Sequence, residues 1–137
     1  MRVVRGIAAL CAAALIVTGC GSSKKSEEQQ VKDTLTSYYK AAAGGDGAKI
    51  CDLLETQTRA QLERRAGGKK CGDVVAAALA QPAYKKLAPA VASAKVTKVT
   101  VNGTAATATV QATGRRPFSV PLTKEGGTWK VQSALGG

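Results

Sequence analysis

After Ser93 the hydrophobic period of the chain changes from near 3.6 residues to 2, and the residue types change from Ala, Leu and Gln to Val and Thr. The first half is therefore expected to be helical and the second half a sheet. Val99 and Val101 run into Asn102-Gly103, a strong hairpin signal, and Ala106, Ala108, Val110 and Ala112 then alternate with Thr107, Thr109 and Gln111. Phe118, Val120 and Leu122 make a third alternating set, in which Pro121 marks an edge or a position that donates no hydrogen bond. Glu125-Gly126-Gly127 turns the chain into Trp129 and Val131. The fold class that follows is α+β: N-terminal helices packed on a curved four-stranded antiparallel meander with one apolar face.

Ahead of the sheet, Ser26 and Gln29 fit a capping box for a first helix carrying Val31, Leu35, Tyr38 and Tyr39, ended near Ala43 by Gly44-Gly45. Asp46 is placed to cap a second helix with Ile50, Leu53 and Leu54 on one face and Cys51 beside it. Thr58 and Gln61 open a short basic helix through Leu62 to Arg65, which Gly67-Gly68 stops. Asp73 would cap a further helix, Val74 to Ala80, with Cys71 at its start opposite Cys51. Pro82 and Pro89 predict a turn-rich stretch around Tyr84 and Leu87.

At the N-terminus, Arg2 and Arg5 precede an apolar run, Ile7 to Val17, that is shorter than the roughly 20 residues of a bilayer-spanning helix. It ends in Leu15-Ile16-Val17-Thr18-Gly19-Cys20, which resembles a bacterial lipobox. The resemblance implies a signal peptide over residues 1–19, lipidation and acylation at Cys20, and a cell-membrane anchor on the extracytoplasmic face. Residues 20–25 then form the lipidated cysteine and a flexible tether, and residues 26–137 the domain. Loss of Arg2 and Arg5 from the twenty Lys plus Arg leaves eighteen against nine Asp plus Glu. Export makes anionic lipid headgroups and wall polymers the accessible partners of this positive charge. Nucleic acid is disfavoured, because the chain has neither a basic base-reading helix nor a run of stacking aromatics. With Cys11 in the signal and Cys20 lipidated, Cys51 and Cys71 are the remaining pair, and in an exported chain such a pair is most simply a disulfide.

The order of elements resembles the NTF2-like superfamily, and more narrowly its small bacterial lipoproteins. The residues that carry the resemblance are Tyr38-Tyr39, Gly45-Asp46, Cys51-Asp52-Leu53-Leu54, Cys71 and Trp129-Lys130-Val131, within Glu27 to Leu135. It implies a cone of helices and curved sheet whose open end holds a small ligand or meets a partner. The fold hosts enzymes, adaptors and inactive proteins alike, so it assigns no activity by itself.

The chain has no histidine, which excludes Ser-His-Asp and Cys-His catalysis and His-bearing metal sites. Gly67-Gly68-Lys69-Lys70 lacks the earlier glycine and the Ser or Thr of a phosphate loop. No cofactor or metal is expected. Asp33, Asp52 and Glu55 fall off the apolar faces of their helices, and no carboxylate falls on the apolar face of a strand, where a cone-lining base would sit. Tyr38, Tyr39, Tyr84, Phe118 and Trp129 are the candidate pocket residues, although helix spacing and strand alternation account for most of them as core. Arg64, Arg65, Lys69 and Lys70 are the candidate anion-binding group. Like Arg64-Arg65 and Lys69-Lys70, the pairs Lys85-Lys86 and Arg115-Arg116 read as solvated surface, since adjacent residues of a helix or strand point apart, and they become a site only if folding brings several pairs together. The expected function is a non-catalytic module binding a small apolar ligand or an envelope protein. The alternatives are a basic surface protein for lipid or wall polymer, or an enzyme with a carboxylate base.

Overall fold

The computed structural model describes residues 24–133. The expected signal peptide, Cys20 and most of the expected tether lie outside these residues. Nine elements follow in order: α1 (Glu27–Gly44), α2 (Gly47–Leu53), α3 (Thr56–Arg65), α4 (Cys71–Leu79), α5 (Pro82–Ala92), β1 (Lys95–Asn102), β2 (Ala105–Gln111), β3 (Phe118–Glu125) and β4 (Thr128–Val131). The strands form one antiparallel meander in the order β1-β2-β3-β4. The sheet is open, and the helices cover one of its faces. None of the described helices is long and apolar enough to cross a membrane.

Helix α1 begins where the Ser26 hydroxyl accepts from the Gln29 N–H (3.2 Å) and ends at Gly45, whose φ of 75° is the left-handed conformation that glycine adopts without penalty. The capping box is only half made. The Gln29 amide turns instead to Asp33, which also receives the Lys25 ammonium, so Lys25 is joined to α1 and is not free tether. Val31, Leu35, Tyr38 and Ala42 line the inward stripe of α1, and each large apolar group buried there contributes about 1.5–3 kcal/mol.

Asp46 caps α2 as expected, accepting from the Lys49 N–H at 2.9 Å. Two other caps come from outside their own segments. Helix α3 starts at Thr56, not at Thr58, and the Glu125 carboxylate at the end of β3 accepts from its first N–H and from the Thr56 hydroxyl. A negative group at a helix N-terminus also meets the positive end of the macrodipole. Helix α4 starts at Cys71, and the Glu63 carboxylate of α3 accepts from the Cys71 N–H, leaving Asp73 in the first turn and not at the cap.

The stretch around Tyr84 and Leu87 is a helix, contrary to the turn-rich expectation. Pro82 occupies its first turn, where the missing N–H would have no intrahelical partner, and Pro89 sits inside it. Pro89 and Lys85, whose carbonyl loses that bond, are both exposed, so water can satisfy the carbonyl. In β3, Pro121 lies on an interior strand. Its carbonyl accepts from the Gln132 N–H, so a residue with an N–H here would donate back to the Gln132 carbonyl. The Thr58 hydroxyl of α3 donates to that carbonyl instead.

Helices α2 and α4 are joined by the Cys51–Cys71 disulfide, with Cα atoms 6.0 Å apart. They also meet backbone to backbone. A Cβ on Gly47 would overlap the Gly72 carbonyl oxygen and lie 2.5 Å from the Ala76 nitrogen. The core extends from this junction through Ile50, Leu54, Val75 and Leu79 to Ala108, Val110, Leu122, Trp129 and Val131 on the inner face of the sheet.

Candidate functional site

A cavity of about 380 Å³ lies between α1, α5 and the end of the sheet where the β2–β3 loop turns. Tyr38 and Tyr39 reach it from the last turns of α1, and Tyr84, Leu87, Ala90 and Val91 from the inward side of α5. Phe118 and Val120 of β3 and Val131 of β4 form its floor. Its volume is at the lower end of the ~300–1,000 Å³ usual for small-molecule sites. The helical period of α5 produces this wall, because residues 84, 87 and 91 recur on one side of the helix. Helix α5 nevertheless has no fully buried residue, and Leu87 keeps 39% of its surface exposed.

The polar features of the cavity are few. Tyr38 and Tyr39 stand edge to face with ring centroids 5.5 Å apart. Burial, reinforced by the neighbouring phenols of Tyr38 and Tyr84, holds the Tyr39 hydroxyl well above its ordinary titration range. Burial also raises Tyr84, whose hydroxyl is sealed from solvent and has no hydrogen-bond partner among the described residues. Ser119, Ser133, Arg115 and Arg116 complete the polar part of the lining, and no carboxylate contributes to it.

Four of the five aromatic residues singled out in the sequence therefore meet at this cavity. Trp129 does not. It is 1% exposed within the core, and its indole N–H donates to Glu27 at 2.7 Å. The other Glu27 oxygen receives Lys124 at 2.6 Å, and the ammonium lies 5.8 Å from the Trp129 ring centroid. These two donors, Lys124 first, hold the Glu27 carboxyl below the ordinary carboxylate range. The arrangement ties the start of α1 to β3 and β4.

Arg115 and Arg116 are both exposed, as the surface reading of the pair expects, and they also adjoin the cavity. They sit in the loop between β2 and β3, where strand alternation does not apply, and both line the cavity. Their one signal in the sequence is position: they fall between Ala112 and Phe118, which also line the cavity. Arg64, Arg65, Lys69 and Lys70 occupy the α3–α4 corner, away from the cavity, all exposed and without an ion pair among the described residues. Asp33 pairs with Lys25, Asp52 is exposed, and Glu55 precedes α3 with a carboxylate oxygen 3.0 Å from the Thr58 hydroxyl oxygen. None of these three carboxylates reaches the cavity. No group of three or more Cys, Asp or Glu among the described residues is placed to hold a metal ion.

No family model, curated protein or solved structure matches this chain.

Proposed function

We propose that this chain is an NTF2-like lipoprotein of the bacterial cell envelope, anchored through Cys20 on the extracytoplasmic face of the membrane, and that its domain binds a small apolar ligand without catalysis. The observation that carries the binding reading is the aromatic cavity between α1, α5 and the sheet. A site walled by tyrosines, leucine and valine gains affinity by removing apolar surface from water. Its lining has hydrogen-bonding groups to orient a ligand but no carboxylate to serve as a general base. The anchor reading is supported by Arg2, Arg5 and the sequence from Leu15 to Cys20.

Native mass spectrometry of protein taken from its own membrane tests the binding reading directly. The expected result is a retained small ligand that raises the melting temperature and is lost from Ala90→Trp, which fills the cavity. An empty protein whose stability no apolar compound changes would refute it. For the anchor, Cys20→Ala is expected to abolish labelling by a fatty-acid analogue and leave an uncleaved or mislocalised precursor. Unchanged labelling and fractionation would refute the lipobox reading.

A second reading rests on the exposed cations of the α3–α4 corner. A surface for anionic lipid or wall polymer would bind in a salt-sensitive way. It would lose affinity when Arg64, Arg65, Lys69 and Lys70 are neutralised.

A further inference from the structure

We infer that the cavity takes a single-chain anionic amphiphile, with its apolar chain between α5 and the sheet and its charged head at Arg115 and Arg116. This deepens the binding reading above and rests on it. The first ground is the distribution of charge. Apart from the phenols, Arg115 and Arg116 are the ionisable groups of the lining, both cationic, with no carboxylate among the described residues bonded to either. A neutral ligand would use the apolar walls and the serine and tyrosine hydroxyls but would leave the two cationic groups without a counter-charge. An anionic head would meet two guanidinium groups beside an apolar chamber, where charge-assisted hydrogen bonds are stronger than neutral ones.

The second ground is the bracing of the loop that presents them. The Gln111 side-chain amide donates to the Arg115 carbonyl at 2.9 Å, and the Arg115 N–H donates to the Ala112 carbonyl at 3.1 Å. From the end of α5, the Ser93 hydroxyl accepts from the Thr113 N–H at 2.9 Å. The backbone at Arg115 is thus braced within the protein itself, which lowers the ordering cost of binding. The bond from Ser93 also joins the cationic loop to the helix that forms the apolar wall.

The third ground is size and shape. A cavity of about 380 Å³ suits one hydrocarbon chain better than the paired chains of a membrane phospholipid. Leu87, exposed and lining the same cavity, places apolar surface where a chain would enter. Carboxylate and phosphate heads share the chemistry the arginines select, and the assay separates them.

The test uses the full chain in nanodiscs of neutral phosphatidylcholine and a photoactivatable dodecanoate probe. Peptide mapping should place the label on α5, with competition by dodecanoate or dodecyl phosphate and much weaker competition by dodecanol. Preference between the two anions identifies the head group. Arg115→Gln with Arg116→Gln should weaken anion competition by about tenfold, the loss of roughly one charge-assisted contact. Lysine at both positions should restore most of it, and the melting temperature should not change because both residues are exposed. If dodecanol competes as well as dodecanoate and the glutamine variants bind normally, the anionic head is refuted while the apolar binding reading stands. If α5 takes no label from any chain, both are refuted. Loss of labelling only when Arg64, Arg65, Lys69 and Lys70 are neutralised would place the head elsewhere and overturn the assignment.

Discussion

Substituting Gly47 by Ala tests the backbone contact that sets the position of α4. The new Cβ would lie 2.5 Å from the Ala76 nitrogen and 3.0 Å from its Cα, where ordinary contacts begin at 3.4 Å. Since the obstructing atoms are main chain, no rotamer change relieves the overlap, and the helices must part by about an ångström. The disulfide between Cys51 and Cys71 and the buried Ile50 and Val75 resist that movement. Overpacking of this kind costs about 1–3 kcal/mol, with rigid main-chain neighbours placing it at the upper end. Restricting the unfolded chain returns about 0.4–1 kcal/mol, so the net loss is about 2 kcal/mol and a fall in Tm of about 10 °C. Gly44→Ala is the control, because nothing lies within 4 Å of its Cβ position and it ends α1 without a left-handed φ. It should be neutral or stabilising by about 0.5 kcal/mol. Urea unfolding of both variants with the disulfide intact decides the matter. A Gly47→Ala protein as stable as the Gly44→Ala control, with an unchanged m-value, would refute the argument.

Replacing both Cys51 and Cys71 by Ala opens a loop with a sequence separation of 20 and should lower stability by about 3 kcal/mol, read in the same urea assay. Glu27 has a depressed carboxyl pKa, so its contribution is present above the ordinary value of 4.5 and lost as pH falls through the folded value. Acid unfolding followed by Trp129 fluorescence should therefore begin below about pH 4.5, and Glu27→Gln should flatten that part of the profile. Tyr84→Phe removes a buried hydroxyl without a partner among the described residues and should stabilise the empty protein by about 1 kcal/mol, measured by thermal melting.

Local chemistry was legible wherever the partner lies within a few residues. Ser26 and Asp46 cap their helices because the N–H groups they bind are three residues away. Asn102-Gly103 closes the β1–β2 hairpin, with Gly103 at φ 60°, and the alternating alanines and valines of β2 face inward. Thr58 and Asp73 have the spacing of caps but do not serve as caps, because the groups that perform those roles, Glu125 and Glu63, come from other elements. The prolines of α5 are breakers by residue type, but a first-turn position and solvent exposure make both tolerable. Nothing local marks Gly47 as a packing glycine, since its partners, Gly72 and Ala76, adjoin it only after folding.

The cavity shows the same division more sharply. Tyr38, Tyr39, Tyr84 and Phe118 were visible as large aromatic groups on regular faces, but the period that brings them inward is equally the period of a filled core. Trp129 has that period too. What separates it is the Glu27 carboxylate, a partner 102 residues earlier that lets the indole be buried with its N–H satisfied. Arg115 and Arg116 are exposed as expected of a solvated pair, but adjacency implies opposite directions only where the backbone is regular, and in this loop between strands both also adjoin the cavity. The path of the loop is set by the Gln111 side chain and by Ser93 at the end of α5. What distinguishes pocket from core here thus rests in part on bonds between residues far apart in the chain, Glu27 with Trp129 and Ser93 with Thr113, which no local period of the sequence encodes.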